Sequence, residues 1–362
     1  MTDFFRNLVE DIKDEDTVIA ADGTGSAEFT GTIDTGSYIL NAALSGSIYG
    51  GVPNNKVTAF AGESATGKTF FVLGVVQHFL ANNPDAGVVY YDTEAAVTKG
   101  MMESRGIDTS RVILAETDTI QNFRHHALKV IDAYEKQPKN RRPPMMFVLD
   151  SLGLLSTTKE MEDTADGKET RDMTKAQLIK ATFRVLTLKL AKVRIPMLVT
   201  NHVYDVVGSY VPMKEIGGGT GLKYAASTIV MLGKKKDREG TDVVGNIIKA
   251  TMYKSRLTKE QTKTEVRLSF TKGLDRYYGL VELACKYNIF KKVSTRIELP
   301  DGTKTFEKSI YKDPTKYFTP KILDQLNEAA RIEYSYGDDE LVDSLQDNLV
   351  LPEEANKELD ND

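Results

Sequence analysis

The sequence predicts an α/β protein in which helices flank a mostly parallel central sheet. From residue 57 to residue 233, short apolar runs typical of buried strands alternate with stretches whose apolar residues recur at helical spacing. After Gly233 the pattern changes to strands separated by polar turns, which predicts antiparallel strands at an edge of the sheet. A short N-terminal helix and a small C-terminal region complete the predicted fold.

The first predicted element is an amphipathic helix over residues 3–13, because Phe4, Leu8 and Ile12 recur every four residues. A link rich in Gly, Thr and Ser follows at residues 22–36. Such a tethered helix can dock its apolar face on a neighbouring protein or pack it against its own core. The sequence alone leaves both arrangements open.

The core elements follow in strand–helix–strand order. We predict strands over residues 56–61, 87–93, 112–116, 145–151, 197–202 and 228–233, with helices over 68–82, 119–136 and 175–194. Beyond them we predict strands over 246–252 and 265–271, a short helix over 280–287, and a hairpin over 295–309 whose turn contains Asp301 and Gly302.

The 362 residues are enough for one large core with appendages. We predict an N-terminal helix and linker at 1–30, an α/β core at 31–290, a small C-terminal region at 291–336 and an acidic tail at 337–362. The net charge of −5 is unevenly distributed, because residues 338–362 hold ten acids and one base and the remaining residues carry +4. We expect the tail either to be a disordered solubilising end or to compete with an anionic ligand for a basic groove.

Composition excludes several classes of protein. A single cysteine, Cys285, excludes an internal disulfide and a multi-cysteine metal site, and predicts reducing surroundings. No apolar run approaches the roughly 18 residues of a membrane span, and the acidic N-terminus lacks the pattern of a signal peptide. We therefore expect a soluble cytoplasmic protein that does not associate with a membrane.

The most specific motif is Gly62-Glu63-Ser64-Ala65-Thr66-Gly67-Lys68-Thr69, which fits Gly-x-x-x-x-Gly-Lys-Ser/Thr between a predicted strand and a predicted helix. Gly62 and Gly67 let the backbone curl until its N–H groups point at phosphate oxygens. Lys68 neutralises the β/γ charge, and Thr69 offers its hydroxyl to Mg²⁺. The motif predicts a site for a nucleoside triphosphate and Mg²⁺. Phe70, at the start of the following helix, is a further predicted residue of this site.

Three predicted strands end near polar residues that could take part in binding or hydrolysing a nucleotide. Residues 145–149 lead to Asp150, whose carboxylate at the edge of a parallel sheet can hold Mg²⁺ through its waters. Glu94 follows another strand, where it can orient a water toward the γ-phosphate or cap the next helix. His202 ends a third, where it can contact the γ-phosphate or play a structural part.

Two long polar segments, 156–174 and 203–223, leave the same predicted edge of the sheet. Segments of this length inside a compact domain tend to be functional or disordered. Both can therefore face a ligand and become ordered when it binds. The second is rich in glycine, with Gly208, Gly217, Gly218, Gly219 and Gly221.

Taken together, these residues resemble the RecA family of homologous-recombination ATPases, most closely the UvsX-type recombinases of T-even-like bacteriophages. The resemblance covers roughly residues 30–290. Besides the phosphate loop, it depends on Ile-Asp-Thr-Gly-Ser at 33–37, Asp-Thr-Glu at 92–94 and Gly-Gly-Thr-Gly-Leu-Lys-Tyr-Ala-Ala-Ser at 218–227. Glu63 departs from the usual proline of the family, His202 departs from the glutamine of bacterial RecA, and the chain after Phe290 does not match motif by motif.

The resemblance implies roles for further residues. It implies that Glu94 is the hydrolytic base. It also implies that Lys254 and Arg256 reach the ATP of the adjacent subunit and act like arginine fingers. The alternative for these two residues is a solvated basic turn. Tyr278 is expected near the nucleotide base. The two polar segments become loops that grip single-stranded DNA, with the expected contributors Lys159, Lys168, Arg171, Lys214, Gly217, Gly218, Gly219 and Lys223.

The leading hypothesis is therefore a DNA-dependent ATPase that polymerises as a helical filament on single-stranded DNA, with ATP and Mg²⁺ at the subunit interfaces. It would promote pairing and strand exchange with double-stranded DNA in recombination, repair and recombination-dependent replication. Single-strand-binding and mediator proteins are further partner classes, and a phage protein would act in the host cytoplasm. Two alternatives stay open. The first is a RecA-like hexameric helicase, which would share Lys68, Glu94 and Asp150. The second is a non-polymerising regulator that binds ATP, but the presence of Glu94 argues against it.

Overall fold

The structure, a computed structural model, describes residues 2–13, 17–22, 25, 30–168, 172–205, 214–270 and 273–337. Arg171, residues 206–213 of the second polar segment, part of the 22–36 link and the acidic tail from 338 lie outside the described residues. None of the described helices combines the length and apolar character needed to cross a membrane.

Helices and strands are numbered separately in chain order. The helices are α1 (Thr2–Ile12), α2 (Tyr38–Ser45), α3 (Lys68–Asn82), α4 (Lys99–Glu103), α5 (Ile120–Glu135), α6 (Thr158–Ala165), α7 (Lys175–Lys192), α8 (Thr220–Ala225), α9 (Leu280–Lys286), α10 (Glu307–Lys312), α11 (Pro314–Tyr317) and α12 (Pro320–Tyr334). The strands are β1 (Thr32–Ile33), β2 (Val52–Pro53), β3 (Val57–Gly62), β4 (Gly87–Asp92), β5 (Val112–Glu116), β6 (Met145–Asp150), β7 (Met197–Asp205), β8 (Lys214–Ile216), β9 (Thr228–Glu239), β10 (Asp242–Ser255), β11 (Lys263–Ser269), β12 (Gly273–Leu274), β13 (Lys291–Val293), β14 (Arg296–Glu298) and β15 (Lys304–Thr305).

The chain divides into two compact units. The first comprises Met1–Ile33 and Pro53–Ile229, and the second comprises Asp34–Val52 and Val230–Asp362. The division into segments 1–30, 31–290, 291–336 and 337–362 stays a prediction.

The first unit contains a parallel sheet with strand order β3-β7-β6-β4-β5. Strands β3, β4 and β6 are almost entirely buried, as expected where helices cover both faces of a parallel sheet. The register places Gly62 opposite His202 and Asp92 opposite Asp150. Because parallel strands end at the same edge, the fold brings the ends of four strands together there.

In the second unit, antiparallel strands β10 and β11 pack against α2, and β12 pairs with β11. Asn41, fully buried in α2, accepts hydrogen bonds from the N–H and the hydroxyl of Thr35 and donates to Asp34 at 2.8 Å. Asp34 also accepts from Arg276 at 2.8 Å. Burial alone would raise the pKa of Asp34, but the hydrogen bonds from Asn41 and Gly36, together with Arg276, lower it.

The predicted fold class is confirmed: a mostly parallel sheet, flanking helices, antiparallel strands and a short N-terminal helix are all present. Several predicted bounds are wrong in a consistent way. Strand β9 continues to Glu239, well past residue 233, because pairing in an antiparallel ladder sustains a mostly exposed polar stretch that lacks an apolar pattern, and β10 covers Asp242–Ser255 rather than 246–252. The 295–309 hairpin is the pair β14–β15, to which β13 adds a third strand, and its last residues begin α10.

Candidate functional site

The phosphate-loop sequence forms the turn between β3 and α3. Gly67 caps α3 with a φ of 87°, a left-handed conformation that glycine adopts without strain, and Ala65 takes a φ of 58°. The Lys68 side chain is 7% exposed, and its Nζ donates to the carbonyls of Gly62 at 3.1 Å and Glu63 at 2.9 Å. The first N–H groups of a helix lack intrahelical acceptors and carry a partial positive charge. The turn is therefore built to receive an anion.

Asp150, at the end of β6, is 4% exposed and accepts three hydroxyl hydrogen bonds. The Oγ1 of Thr69 donates to its Oδ2 at 2.8 Å, and the hydroxyl of Tyr90 donates to the same oxygen at 2.7 Å. Thr200 on β7 donates to Oδ1. Burial and the neighbouring Asp150 carboxylate raise the pKa of Tyr90, which keeps this phenol a donor. The predicted pair Thr69 and Asp150 is thus in direct contact.

These residues fit a nucleotide-borne Mg²⁺ ion. A threonine hydroxyl and a carboxylate are the hard oxygen donors that Mg²⁺ prefers, and such ions are usually held by one or two carboxylates together with substrate phosphates. Among the residues that the structure describes, no group of three or more His, Cys, Asp or Glu side chains could hold a metal by itself. The donor set therefore matches an ion that arrives with a triphosphate.

Glu94 lies in the turn after β4, which is fixed by Asp92. The carboxylate of Asp92 accepts the N–H of Glu94 and of Val97, each at 3.0 Å. Glu94 does not cap the following helix, because α4 begins at Lys99 and Thr98 caps it. Its Oε1 instead accepts the Ser151 hydroxyl at 2.9 Å, at the carboxyl edge of the sheet beside Asp150.

His202 also reaches this edge, with its Nε2 at 3.3 Å from Oε1 of Glu94. The prediction that the strand ends at His202 is wrong, because β7 runs on to Asp205. Strand β8 continues the ladder on that extension, with Val203 opposite Ile216. The fold therefore brings Glu94 and His202 together beside the phosphate loop.

The described residues of the first polar segment, 156–168 and 172–174, do not form an open loop. The segment contains α6, whose capping box joins the Thr157 side chain to the N–H of Glu160 and the Glu160 side chain to the N–H of Thr157. Lys168 pairs with Asp166 at 2.9 Å, while Lys159 lies in α6. Asp172 accepts the Thr157 hydroxyl at 2.6 Å, which joins the two ends of the segment.

The described part of the second polar segment contacts the phosphate loop through one ion pair. Lys214 on β8 forms an ion pair with Glu63. The N–H of Gly217 donates to the His202 carbonyl at 3.0 Å, and Lys223 pairs with Glu215 at 3.4 Å. Gly218 and Gly219 both take a positive φ, at 79° and 71°.

The predicted residues Lys254, Arg256 and Tyr278 belong to the second unit. Lys254 lies at the end of β10, where burial and then the neighbouring Arg256 lower its pKa. Tyr278 stacks on Tyr311 with ring centroids 5.3 Å apart. Their predicted contacts with nucleotide stay predictions.

Sequence reasoning missed four polar partners of this site: Thr93, Ser151, Tyr90 and Thr200. Ser151 and Thr93 exchange hydrogen bonds at 2.8 and 2.9 Å between neighbouring strand ends. Tyr90 and Thr200 sit inside apolar strands and look like core residues. Each lies two positions before a polar residue near a strand's end, but this spacing does not distinguish a partner of the site from a core residue. Phe70, which was predicted, lies under the guanidinium of Arg105 at 4.0 Å.

Comparison with known proteins supports the predicted resemblance. The model of the RecA N-terminal domain matches residues 11–275. The recombination and repair protein of Enterobacteria phage T4 is 33% identical over 254 residues, which is 70% of this chain and 63% of the phage protein. The RecA proteins of Malacoplasma penetrans and Deinococcus radiodurans are each 26% identical, over 72% and 73% of this chain and 75% and 69% of their own lengths. The chain therefore belongs to the RecA family.

Proposed function

We propose that this protein is an ATP-dependent recombinase that assembles on single-stranded DNA and promotes homologous pairing and strand exchange. The proposal depends on one observation: Lys68, Thr69, Asp150 and Glu94 meet at one edge of the sheet. The two polar segments, 156–174 and 203–223, also leave the fold at this edge, and we call them the first and second insertions. The printed names of its relatives, which concern recombination and repair, support the same activity.

The residues of the first unit divide the work of hydrolysis. Lys68 and the N-terminus of α3 bind the β- and γ-phosphates, and Thr69 with Asp150 holds Mg²⁺. Bound ATP–Mg²⁺ supplies the phosphoryl group and neutralises charge during its transfer. Glu94 orients the attacking water and accepts its proton, while the Ser151 hydroxyl holds the carboxylate in place.

We infer that coupling to DNA passes through His202. Its side chain contacts Glu94, and its backbone carbonyl accepts the N–H of Gly217 in the second insertion. A change at the γ-phosphate that moves His202 therefore acts on the segment assigned to DNA. Binding of ATP and of DNA should favour each other, since coupling between two sites is reciprocal.

Assembly into a filament is supported by the exposed face of α1. Phe4 is 66% exposed, Leu8 43% and Ile12 51%, so this helix does not bury its apolar stripe in its own core. A stripe of this kind fits a neighbouring copy of the chain. Lys254 and Arg256 then act on the nucleotide of that neighbour.

DNA binding should depend mainly on backbone phosphates. The residues assigned to it are cationic or glycine, so we expect little sequence preference and a strong decline with salt. Lys159, Lys168, Lys214 and Lys223 are the described cations of the two insertions that we assign to DNA.

The proposal is tested by electron microscopy of the protein on circular single-stranded DNA, with and without a slowly hydrolysed ATP analogue. A continuous helical coat that needs the nucleotide, absent in Lys68→Ala, supports it. Discrete rings would favour a hexameric helicase, and bare DNA in both conditions would favour a non-polymerising regulator. A strand-exchange assay on the coated DNA then tests the activity itself.

A further inference from the structure

A tyrosine hydroxyl contacts the candidate metal-holding carboxylate from the neighbouring strand. Tyr90 on β4 lies opposite Val148 on β6, two residues before Asp150. Its side chain is fully buried, and its hydroxyl donates to Asp150 Oδ2 at 2.7 Å. A hydrogen bond to a carboxylate is stronger than one between neutral groups, so this contact can fix a side-chain orientation.

The choice of oxygen is informative. Tyr90 and Thr69 both donate to Oδ2, which fills the two lone pairs of that atom, while Thr200 donates to Oδ1. The carboxylate is therefore held by donors from β4, α3 and β7. A buried tyrosine that needed only some acceptor could be satisfied by any backbone carbonyl. Here it is satisfied by the oxygen that also holds the last residue of the phosphate loop.

We propose that Tyr90 is a positioning residue for Mg²⁺: it holds Asp150 in the orientation that keeps the Thr69 hydroxyl directed for the metal–nucleotide complex. This inference rests on the proposed function, because it requires that the site bind a triphosphate with Mg²⁺. Tyr90 touches neither nucleotide nor metal, and it acts only through Asp150. Hydrogen-bond partners of metal-binding side chains typically affect metal affinity about 10- to 100-fold.

The adjacent residue provides a matched control. Tyr91 is also fully buried on β4, but its hydroxyl lies 3.0 Å from Nδ1 of His126 and its ring packs on Phe123. Neighbouring residues of a strand point to opposite faces of the sheet. Tyr91→Phe thus removes one hydroxyl from the same strand without touching Asp150.

The experiment titrates Mg²⁺ against binding of a fluorescent, slowly hydrolysed ATP analogue to wild type, Tyr90→Phe and Tyr91→Phe, with thermal unfolding as a check of folding. We expect the Mg²⁺ concentration for half-maximal binding to rise about tenfold in Tyr90→Phe. Binding measured in EDTA should be unchanged, and Tyr91→Phe should match wild type.

Three results would overturn the inference. One is an unchanged Mg²⁺ requirement in Tyr90→Phe, and another is an equal shift in both variants, which would indicate a general packing effect. A third is wild-type protein that binds no nucleotide at any Mg²⁺ concentration, which would remove the proposed function as well. In the first two cases wild-type protein still coats DNA, so failure of the inference is distinguishable from failure of the proposed function.

Discussion

The Nε2 of His202 lies 3.3 Å from Oε1 of Glu94, although the two residues are 108 positions apart in the chain. The contact forms because β4 and β7 both flank β6 in the parallel sheet, so that residues near their carboxyl ends approach each other. It joins the candidate hydrolytic base to the strand that continues into the second insertion. We therefore expect substitution of Glu94 to change the rate of ATP hydrolysis and substitution of His202 to change the response to DNA.

Glu94→Gln should slow ATP turnover on single-stranded DNA by about 100-fold or more, because loss of a general base typically costs 10²–10⁴-fold. Glutamine keeps an acceptor for the Ser151 hydroxyl, so the local structure and the nucleotide-dependent DNA coat should remain. Phosphate release measured beside electron microscopy of the same samples checks both expectations. Equal hydrolysis rates for the variant and wild type would sink the assigned base, and Lys68→Ala serves as the control that loses both activities.

His202→Ala should bind ATP normally but lose the advantage that ATP gives to DNA binding. Coupling between two sites typically amounts to about 5- to 150-fold in affinity, and we expect most of that ratio to disappear. His202→Gln retains a group able to reach Glu94 and should preserve it. Fluorescence anisotropy of a labelled oligonucleotide, with and without a slowly hydrolysed analogue, measures the ratio. A full ratio in His202→Ala would argue that the coupling takes another path.

Much of the fold was accessible from sequence wherever one physical signal dominated. Helix α3 has its predicted bounds because a glycine turn begins it and an unbroken apolar pattern runs through it. The start of α12 was missed although Thr319 caps it and Pro320 occupies its first position, both standard start signals. Helix α6 was missed in the same way, since Thr157 and Glu160 have capping-box spacing.

The site was predictable only in part. Residues at strand ends, such as Asp150 and Glu94, could be placed because parallel strands finish at a common edge. Tyr90 could not, because a tyrosine inside an apolar strand has the same pattern whether its hydroxyl is a passive tip or a partner of a carboxylate. The pairing of Glu63 with Lys214 depends on how the second insertion folds back, which no local pattern encodes.

Glu63→Gln should tighten binding of single-stranded DNA in the absence of nucleotide, because it releases Lys214 from its ion pair. Both side chains are about half exposed, and exposed pairs contribute roughly 0–1 kcal/mol, so the gain should be about fivefold or less. Lys214→Gln should weaken DNA binding. It should also reduce the slope of log affinity against log salt concentration by about one, which corresponds to one lost phosphate contact. Affinities measured across a salt series test both.

A second pair in the same segment is the control for this prediction. Glu215→Gln removes the ion pair with Lys223 without changing the phosphate loop. If Glu63→Gln and Glu215→Gln change DNA affinity equally and neither effect responds to nucleotide, the ion pair with the phosphate loop has no special part. An effect of Glu63→Gln that nucleotide abolishes would instead indicate that the bound triphosphate itself frees Lys214.

Asp172 should keep the first insertion closed across the whole neutral range. Hydrogen bonds from the Thr157 hydroxyl and from the hydroxyl and N–H of Thr174 lower its pKa from the ordinary 3.8 to about 2. A carboxyl whose folded-state pKa is lowered stabilises the fold fully above its unfolded pKa, and this contribution is lost as pH falls through about 2. Between pH 8 and pH 5 the closure should therefore be constant.

Hydrogen exchange of the α6 amides measures this closure. Wild-type protection, corrected for intrinsic rates, should stay flat from pH 8 to pH 5, and Asp172→Asn should lower it by about three- to tenfold, because hydrogen bonds to a neutral acceptor are weaker. Asp166→Asn, which breaks only the exposed pair with Lys168, should leave protection unchanged. Protection that declines in wild type between pH 7 and pH 5, or that survives intact in Asp172→Asn, would mean that α6 is held by its capping box alone.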